Sequence, residues 1–152
     1  MSTADLLTHL ALRHTAEAYA VAVDRHDADM FAAQFTEDGV LIAPRGRFEG
    51  QGELRKVPPM MAELYEATFH GVLSVFAEID GKTAKAETRC IARHFYHDSA
   101  GQHRCYEMMI RYQDDFALRG ERWLFARRAL LVDFAHTFQA DGRWKSDTGS
   151  TE

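Results

Sequence analysis

The order of its patterns constrains this chain more than any single motif. From residue 68 onward, long runs rich in Val, Ile, Phe and Tyr are separated only by short turn signals. Thr68 to Ile79 reads as a strand, and Asp80-Gly81 is a hairpin turn. Thr83 to His97 is a second strand, Asp98 to Gln102 a polar loop, and His103 to Ala117 a third strand. Arg119-Gly120-Glu121 turns the chain into a fourth, Arg122 to Phe134. Ahead of these strands the period is helical. Ser2 or Thr3 caps a helix that runs to about Asp24, with Leu7, Leu10, Ala11, His14, Ala18, Val21 and Ala22 as its expected buried stripe. Asp27 caps a short helix, Ala28 to Phe35, and Asp38-Gly39 turns it. Val40 to Ala43 is a short strand, turned at Pro44-Arg45-Gly46 to pair with Phe48 to Gly50. Gln51 to Tyr65 is helical, interrupted or restarted by Pro58-Pro59.

Helices followed by a long antiparallel meander imply an α+β fold with the helices packed on one sheet face. Strong twist curves such long strands around the helices and leaves a cone-shaped cavity. One domain over residues 1–138 is expected, followed by a polar tail over 139–152, with no internal repeat. A length of 152 residues suits one domain with a sizeable core. Ten Phe, five Tyr and two Trp are enough to line a cavity as well as fill that core.

Composition also excludes partners. A formal net charge of −5 argues against nucleic acid, which wants a basic surface. No apolar run is long enough to span a bilayer, so no membrane is expected. Met1-Ser2-Thr3-Ala4-Asp5 shows no basic segment leading an apolar one, so no signal peptide is expected and the location is taken as cytoplasmic. Cys90 and Cys105 are too few for a disulfide framework and lack metal-ligand spacing. There is no phosphate-binding glycine loop, dinucleotide fingerprint or nucleophile elbow, so no cofactor is expected.

Three residues stand out for chemistry. Asp24 lies at the helix end, at the edge of the apolar stripe, and either enters the cavity or sits exposed in Asp24-Arg25-His26-Asp27. His70 lies early in an apolar strand, and imidazole titrates near neutrality, so it can act as base or acid. A carboxylate beside an imidazole fixes its tautomer and favours proton uptake; the alternative for His70 is a solvent-facing strand position. His94 shares one strand face with Ala84, Ala86, Thr88, Cys90 and Ala92. That set is small and mostly apolar, so it faces inward and places His94 at the end of an apolar wall, as a ligand-binding or a structural histidine. His94 and His97 face opposite ways on a strand, so no metal site is expected from them. His14 is expected as a packed core residue. Of Arg127 and Arg128 one faces inward, with Arg128 favoured by Leu124, Ala126, Leu130 and Val132. Tyr19, Phe35, Phe69, Met109 and Arg128, with Met61 and Tyr65, are the candidate substrate-binding walls.

The chain resembles the SnoaL-like branch of the nuclear transport factor 2-like superfamily over about residues 5 to 135. The resemblance rests on Ala20-Val21-Ala22-Val23-Asp24-Arg25-His26-Asp27 and Met30-Phe31-Ala32-Ala33-Gln34-Phe35-Thr36-Glu37-Asp38-Gly39-Val40. It also rests on Gly46-Arg47-Phe48-Glu49-Gly50 and on Arg122-Trp123-Leu124-Phe125-Ala126-Arg127-Arg128. Scytalone dehydratase and lindane dehydrochlorinase, two enzyme types of that superfamily, pair a helix-end Asp with a His early in a long strand. Asp24 and His70 match those places, and His94 matches the dehydratase's further histidine. Val23 and Ala43 stand where the dehydratase carries tyrosines. The resemblance implies a cofactor-independent lyase, working by dehydratase-like elimination or by carbon–carbon cleavage, with an Asp–His acid/base dyad acting on a small aromatic, steroid-like or polyketide-like substrate. An isomerase of the same fold and a non-catalytic binding module are the alternatives. A homo-oligomer, dimer or trimer, is expected through the sheet, with Phe95, Tyr106 or Tyr112 outward.

Overall fold

The computed structural model describes residues 1–143, so most of the expected tail lies outside the described residues. Helix α1 spans Thr3–Asp24 and opens on a capping box: the Ser2 hydroxyl accepts from Asp5 N, and Asp5 accepts from Ser2 N. Its buried residues are Leu12, Thr15, Ala16, Ala18, Tyr19, Ala20, Ala22 and Val23. Ala18 and Ala22 are buried as expected, but the rest of the expected stripe is corrected: Leu7, Leu10, His14 and Val21 are exposed, and Ala11 is half-buried. Apolar residues run round much of this helix, so period alone allows either face. The Thr15 hydroxyl, donating to Trp123 O at 2.6 Å, pins the face chosen.

The C-terminus of α1 ends in a closed loop. His26 is left-handed (φ 57°), His26 N donates to Val23 O, and Asp27 N donates to Ala22 O. Asp27 then caps α2, Ala28–Ala32, through Met30 N. These bonds hold Asp24 at a fixed point on the last helical turn.

The strands form one curved, unclosed sheet in the order β2-β1-β6-β5-β4-β3. They are β1 (Phe35–Ala43), β2 (Gly46–Glu49), β3 (Ala67–Asp80), β4 (Thr83–His97), β5 (His103–Arg119) and β6 (Arg122–Gln139). Between β2 and β3 lie α3, Gly50–Leu54, and α4, Val57–Leu64, the latter restarted with Pro in its first turn. The meander β3 to β6 is antiparallel as expected, but β1 joins β6 in parallel, so the sheet is mixed. The chain also extends sooner than expected: Phe35 already pairs with Phe125, and Gly39 marks an irregularity within β1 rather than a turn. A Cβ on Gly39 would stand 2.8 Å from Phe35 Cβ and 3.1 Å from Phe125 O, so only glycine fits there.

Bulges set which side chains face the helices. In β3, Leu73 is an extra residue between the pairs Val72↔Cys90 and Ser74↔Arg89. His70 and Val72 face inward before it, and Val75, Ala77 and Ile79 pack on the core after it. In β6, Ala126 is extra between Phe125↔Phe116 and Arg127↔Asp115, which turns both Phe125 and Arg128 inward. Arg128 faces inward as expected, but Trp123 and Phe125 are its buried neighbours, not Leu124 and Ala126. The expected inward face of β4 is observed: Ala84, Thr88, Cys90, Ala92 and His94 are all buried. Cys90 and Cys105 are buried and free, and burial pushes the Cys90 thiol up to about 12. No described helix is long and apolar enough to cross a membrane.

Candidate active site

Between the inner sheet face, the end of α1 and α4 lies an apolar cavity of about 430 Å³. Val23, Leu41, Phe48, Val57, Met61, Met108, Ile110 and Leu130 supply its apolar wall. Tyr19, Tyr65, Tyr106 and Tyr112 supply aromatic faces and hydroxyls, and His70, His94 and Arg45 complete the polar set.

Asp24 and His70 are joined. The Asp24 carboxylate accepts from Thr68 Oγ1 (2.8 Å), from His70 N (3.0 Å) and lies 2.7 Å from His70 Nδ1. Two strand residues on one face and the backbone between them thus converge on one helix-end carboxylate. Burial acts to raise the Asp24 pKa, but the bonds from His70 and Thr68 and the imidazole charge outweigh it, so its carboxyl is held below the usual range. As an ionised acceptor it fixes the proton of His70 on Nδ1 and leaves Nε2 with a free lone pair.

His94 is 1% exposed, and its Nδ1 lies 2.9 Å from Tyr106 O. A carbonyl only accepts, so Nδ1 carries the proton there. Desolvation pushes the His94 pKa down to about 4, helped by the charges of His70 and Arg45, so this ring is neutral near pH 7. Among the described residues no fully buried side-chain nitrogen or oxygen lacks a partner. Nε2 of His70 and Nε2 of His94 have no partner among the described residues, and both open onto the cavity. The rings stand at 5.6 Å, nearly perpendicular, and Tyr65 packs on His94 at 4.8 Å.

Of the expected walls, Tyr19, Met61 and Tyr65 line the cavity, and the others do not. Phe69 is 65% exposed and Met109 41% exposed, because strand alternation turns each away from its inward neighbours His70 and Met108. Phe35 is buried but packs among Phe31, Tyr19 and Phe125 in the core, outside the cavity. Arg128 is 1% exposed and spent on structure. Its guanidinium makes two bonds to Asp114 (2.8 and 2.9 Å) and lies against the rings of Tyr19, Tyr112 and Phe125. It stands behind the tyrosine wall and does not reach the cavity. Tyr106 and Tyr112 face inward, which corrects their expected place on an outer contact face. Arg45 at the cavity mouth carries no local sequence signal. It sits on the β1–β2 turn, its Nη2 reaches the Tyr65 hydroxyl at 3.4 Å, and it has no carboxylate partner among the described residues. Only the return of β2 along β1 brings that turn to the mouth.

The profile of the SnoaL-like domain family matches residues 4–129. The chain belongs to the SnoaL-like family. The SnoaL-like domain shares its curved fold with several solved structures. A putative scytalone dehydratase from Novosphingobium aromaticivorans matches with a TM-score of 0.79 at 20% identity, over 100% of each chain. A hexachlorocyclohexane dehydrochlorinase, LinA type 2, matches with a TM-score of 0.79 at 13% identity, over 95% of this chain and 97% of its own. A protein of unknown function with a cystatin-like fold from Nostoc punctiforme matches with a TM-score of 0.70 at 18% identity, over 88% of this chain and 94% of its own. At these identities the likeness is one of fold. A search of curated proteins gave no match.

Proposed function

We propose that this SnoaL-like chain is a cofactor-independent lyase of the dehydratase kind. The carrying observation is the Asp24–His70 pair, hydrogen-bonded at 2.7 Å, with Nε2 of His70 open to an apolar cavity. His70 Nε2 takes a proton from a carbon next to a carbonyl or similar activating group. The electrons of that C–H bond form the new C=C bond, and the leaving group departs from the neighbouring carbon with its bonding pair. Asp24 stabilises the imidazolium as it forms and holds the ring in place. The neutral His94, with its free Nε2, accepts a hydrogen bond from a substrate hydroxyl and so orients it. Arg45 faces the oxygen on which negative charge develops. The phenols of Tyr65 and Tyr106, whose rings pack beside His94, are the proton donors for the leaving group, in place of the tyrosines absent at Val23 and Ala43.

The apolar lining suits a small aromatic, steroid-like or polyketide-like molecule. Structural likeness to proteins named as a putative dehydratase and a dehydrochlorinase supports elimination of a small leaving group. The exposed Phe69, Phe76 and Phe134 on the outer face support assembly of two or three copies through the sheet, which light scattering at increasing concentration reads directly.

A panel of hydroxylated aromatic and polyketide-like compounds, followed for both binding and turnover, tests the reading. Wild type is expected to convert at least one compound, and His70→Ala to bind it within a few-fold while losing about 10²-fold or more in kcat. Binding by the wild type without conversion of any compound would instead make the domain a binding module. Conversion of a compound to a rearranged product of the same mass, without loss of a leaving group, would make it an isomerase.

A further inference from the structure

Away from the cavity, three metal-ligating side chains from three segments meet on the outer side of the sheet. His97 ends β4 and His103 begins β5, and the two are directly paired across the hairpin. Their rings stand at 4.1 Å. Glu66, just before β3, is held beside them by its backbone N donating to Phe95 O at 2.8 Å. The ligating atoms of all three lie within 4.8 Å of one another. Both imidazoles aim at the same carboxylate oxygen: Glu66 Oε2 is 3.6 Å from His97 Nδ1 and 3.8 Å from His103 Nδ1. Neither distance is a hydrogen bond, so the triangle is open. A tetrahedral ion with bonds of about 2.0–2.1 Å holds its ligands roughly 3.3 Å apart, so the two glutamate–histidine edges close by a few tenths of an ångström, and the histidine–histidine edge starts from within 4.8 Å.

The frame around the triangle is stiff. In the hairpin loop, Asp98 accepts from Ala100 N, Gln102 N and Arg104 Nε, which fixes the separation of β4 and β5 at the histidines. A small cleft of about 210 Å³, lined by Glu66 and His103 among others, opens beside them and leaves room for water ligands. Arg143 faces the other oxygen, Oε1, at 4.0 Å, so it does not occupy the ligating side of the carboxylate.

We propose that Glu66, His97 and His103 bind one divalent transition ion of borderline softness, such as Zn²⁺, Ni²⁺ or Cu²⁺. Two imidazoles and one carboxylate are the donor set such ions prefer, and Ca²⁺ and Mg²⁺, which take all-oxygen sites, are excluded by it. The site leaves at least one coordination position open to water. It lies one residue from Tyr65, whose ring packs on His94, so the bound ion ties the entry to β3, and with it this wall of the cavity, to the β4–β5 hairpin. This inference does not depend on the reaction proposed for the cavity.

Isothermal titration of the full chain with Zn²⁺ in a non-coordinating buffer near neutral pH tests it. One equivalent is expected to bind, with Mg²⁺ giving no heat. Acidification is expected to release the ion, because ligation needs unprotonated imidazoles. His97→Ala and His103→Ala should each weaken binding about tenfold or more, and the double variant should abolish it, while His26→Ala, at the end of α1, leaves it unchanged. Glu66→Gln keeps the shape and removes the charge, so its loss of affinity separates ligation from misfolding, with circular dichroism recorded on each variant. Absence of Zn²⁺ binding by the wild type overturns the proposal. So does binding that survives in the double variant, which would place the ion on the cavity histidines or the cysteines.

Discussion

Replacing Asp24 with Asn removes one charge at almost constant shape and leaves three donors competing for a poorer acceptor. The carboxylate accepts from Thr68 Oγ1, His70 N and His70 Nδ1 at once. An amide offers one acceptor oxygen and one donor NH₂. With its oxygen toward Thr68 and Nδ1, the NH₂ meets the backbone N–H of His70, and that half-buried donor loses its partner. Turned the other way, the NH₂ faces His70 Nδ1, and the imidazole proton moves to Nε2, where it blocks the base. Either state costs about 1–3 kcal/mol of stability. In the first state the imidazolium formed during proton removal also loses its counter-ion, which at about 4 Å and an effective dielectric near 20 is worth roughly 4 kcal/mol. At about 1.4 kcal/mol per decade, kcat is expected to fall roughly 10²–10³-fold, with KM within a few-fold. The assay is steady-state turnover of whichever panel compound the wild type converts, together with urea unfolding of both proteins. A folded Asp24→Asn with kcat within about threefold of wild type, but reduced stability, would refute the reasoning. Asp24 would then serve only to anchor β3 to the end of α1.

The same contacts set other outcomes. His94 has its pKa depressed to about 4 in the folded chain, so between that value and about 6.5 only the unfolded chain takes up its proton. Its contribution to stability is therefore complete above about pH 6.5 and falls as pH drops toward 4, by an amount on the order of 3 kcal/mol; His94→Gln is expected to flatten that slope in pH-dependent urea unfolding. Asp24 acts lower: its depressed pKa contributes stability above about pH 4 that is lost as pH falls through the folded value, so the wild type and Asp24→Asn should converge in strong acid. Asp114→Asn leaves the Arg128 guanidinium buried without a counter-charge and takes a partner from Thr88, so a loss of about 3–5 kcal/mol is expected by chemical denaturation. His26→Gly removes the left-handed strain at the end of α1 and should raise stability by about 1 kcal/mol, read as an increase in Tm.

The features legible in the sequence are local. The end of α1 at Asp24 comes from Asp27 and the break in helical period, and the inward face of β4 from its run of small residues ending at His94. Alternation also had the information to reject Phe69 and Met109, since each adjoins an inward residue on a strand. It could not give the phase after Leu73, Ala126 or Asp133, because a bulge inserts one residue and reverses the faces beyond it. Nor could it choose the buried side of α1, where apolar residues occupy several faces.

The residue order by itself therefore determined the class of fold and most strand ends of the meander, although β6 runs on to Gln139 past its expected end at Phe134, and it singled out Asp24, His70 and His94 as candidates. Hydrophobic period, turn chemistry and capping act within a few residues, so they survive in a linear reading. The tertiary structure decided which polar groups are free. Arg128 is neutralised by Asp114 from the neighbouring strand, whereas Arg45 is carried to the cavity mouth by a turn and has no carboxylate partner among the described residues. His97 finds its partners across a hairpin and before another strand. Charge pairing and ligation depend on distances of a few ångströms between segments far apart in sequence, and only the packed sheet sets those distances.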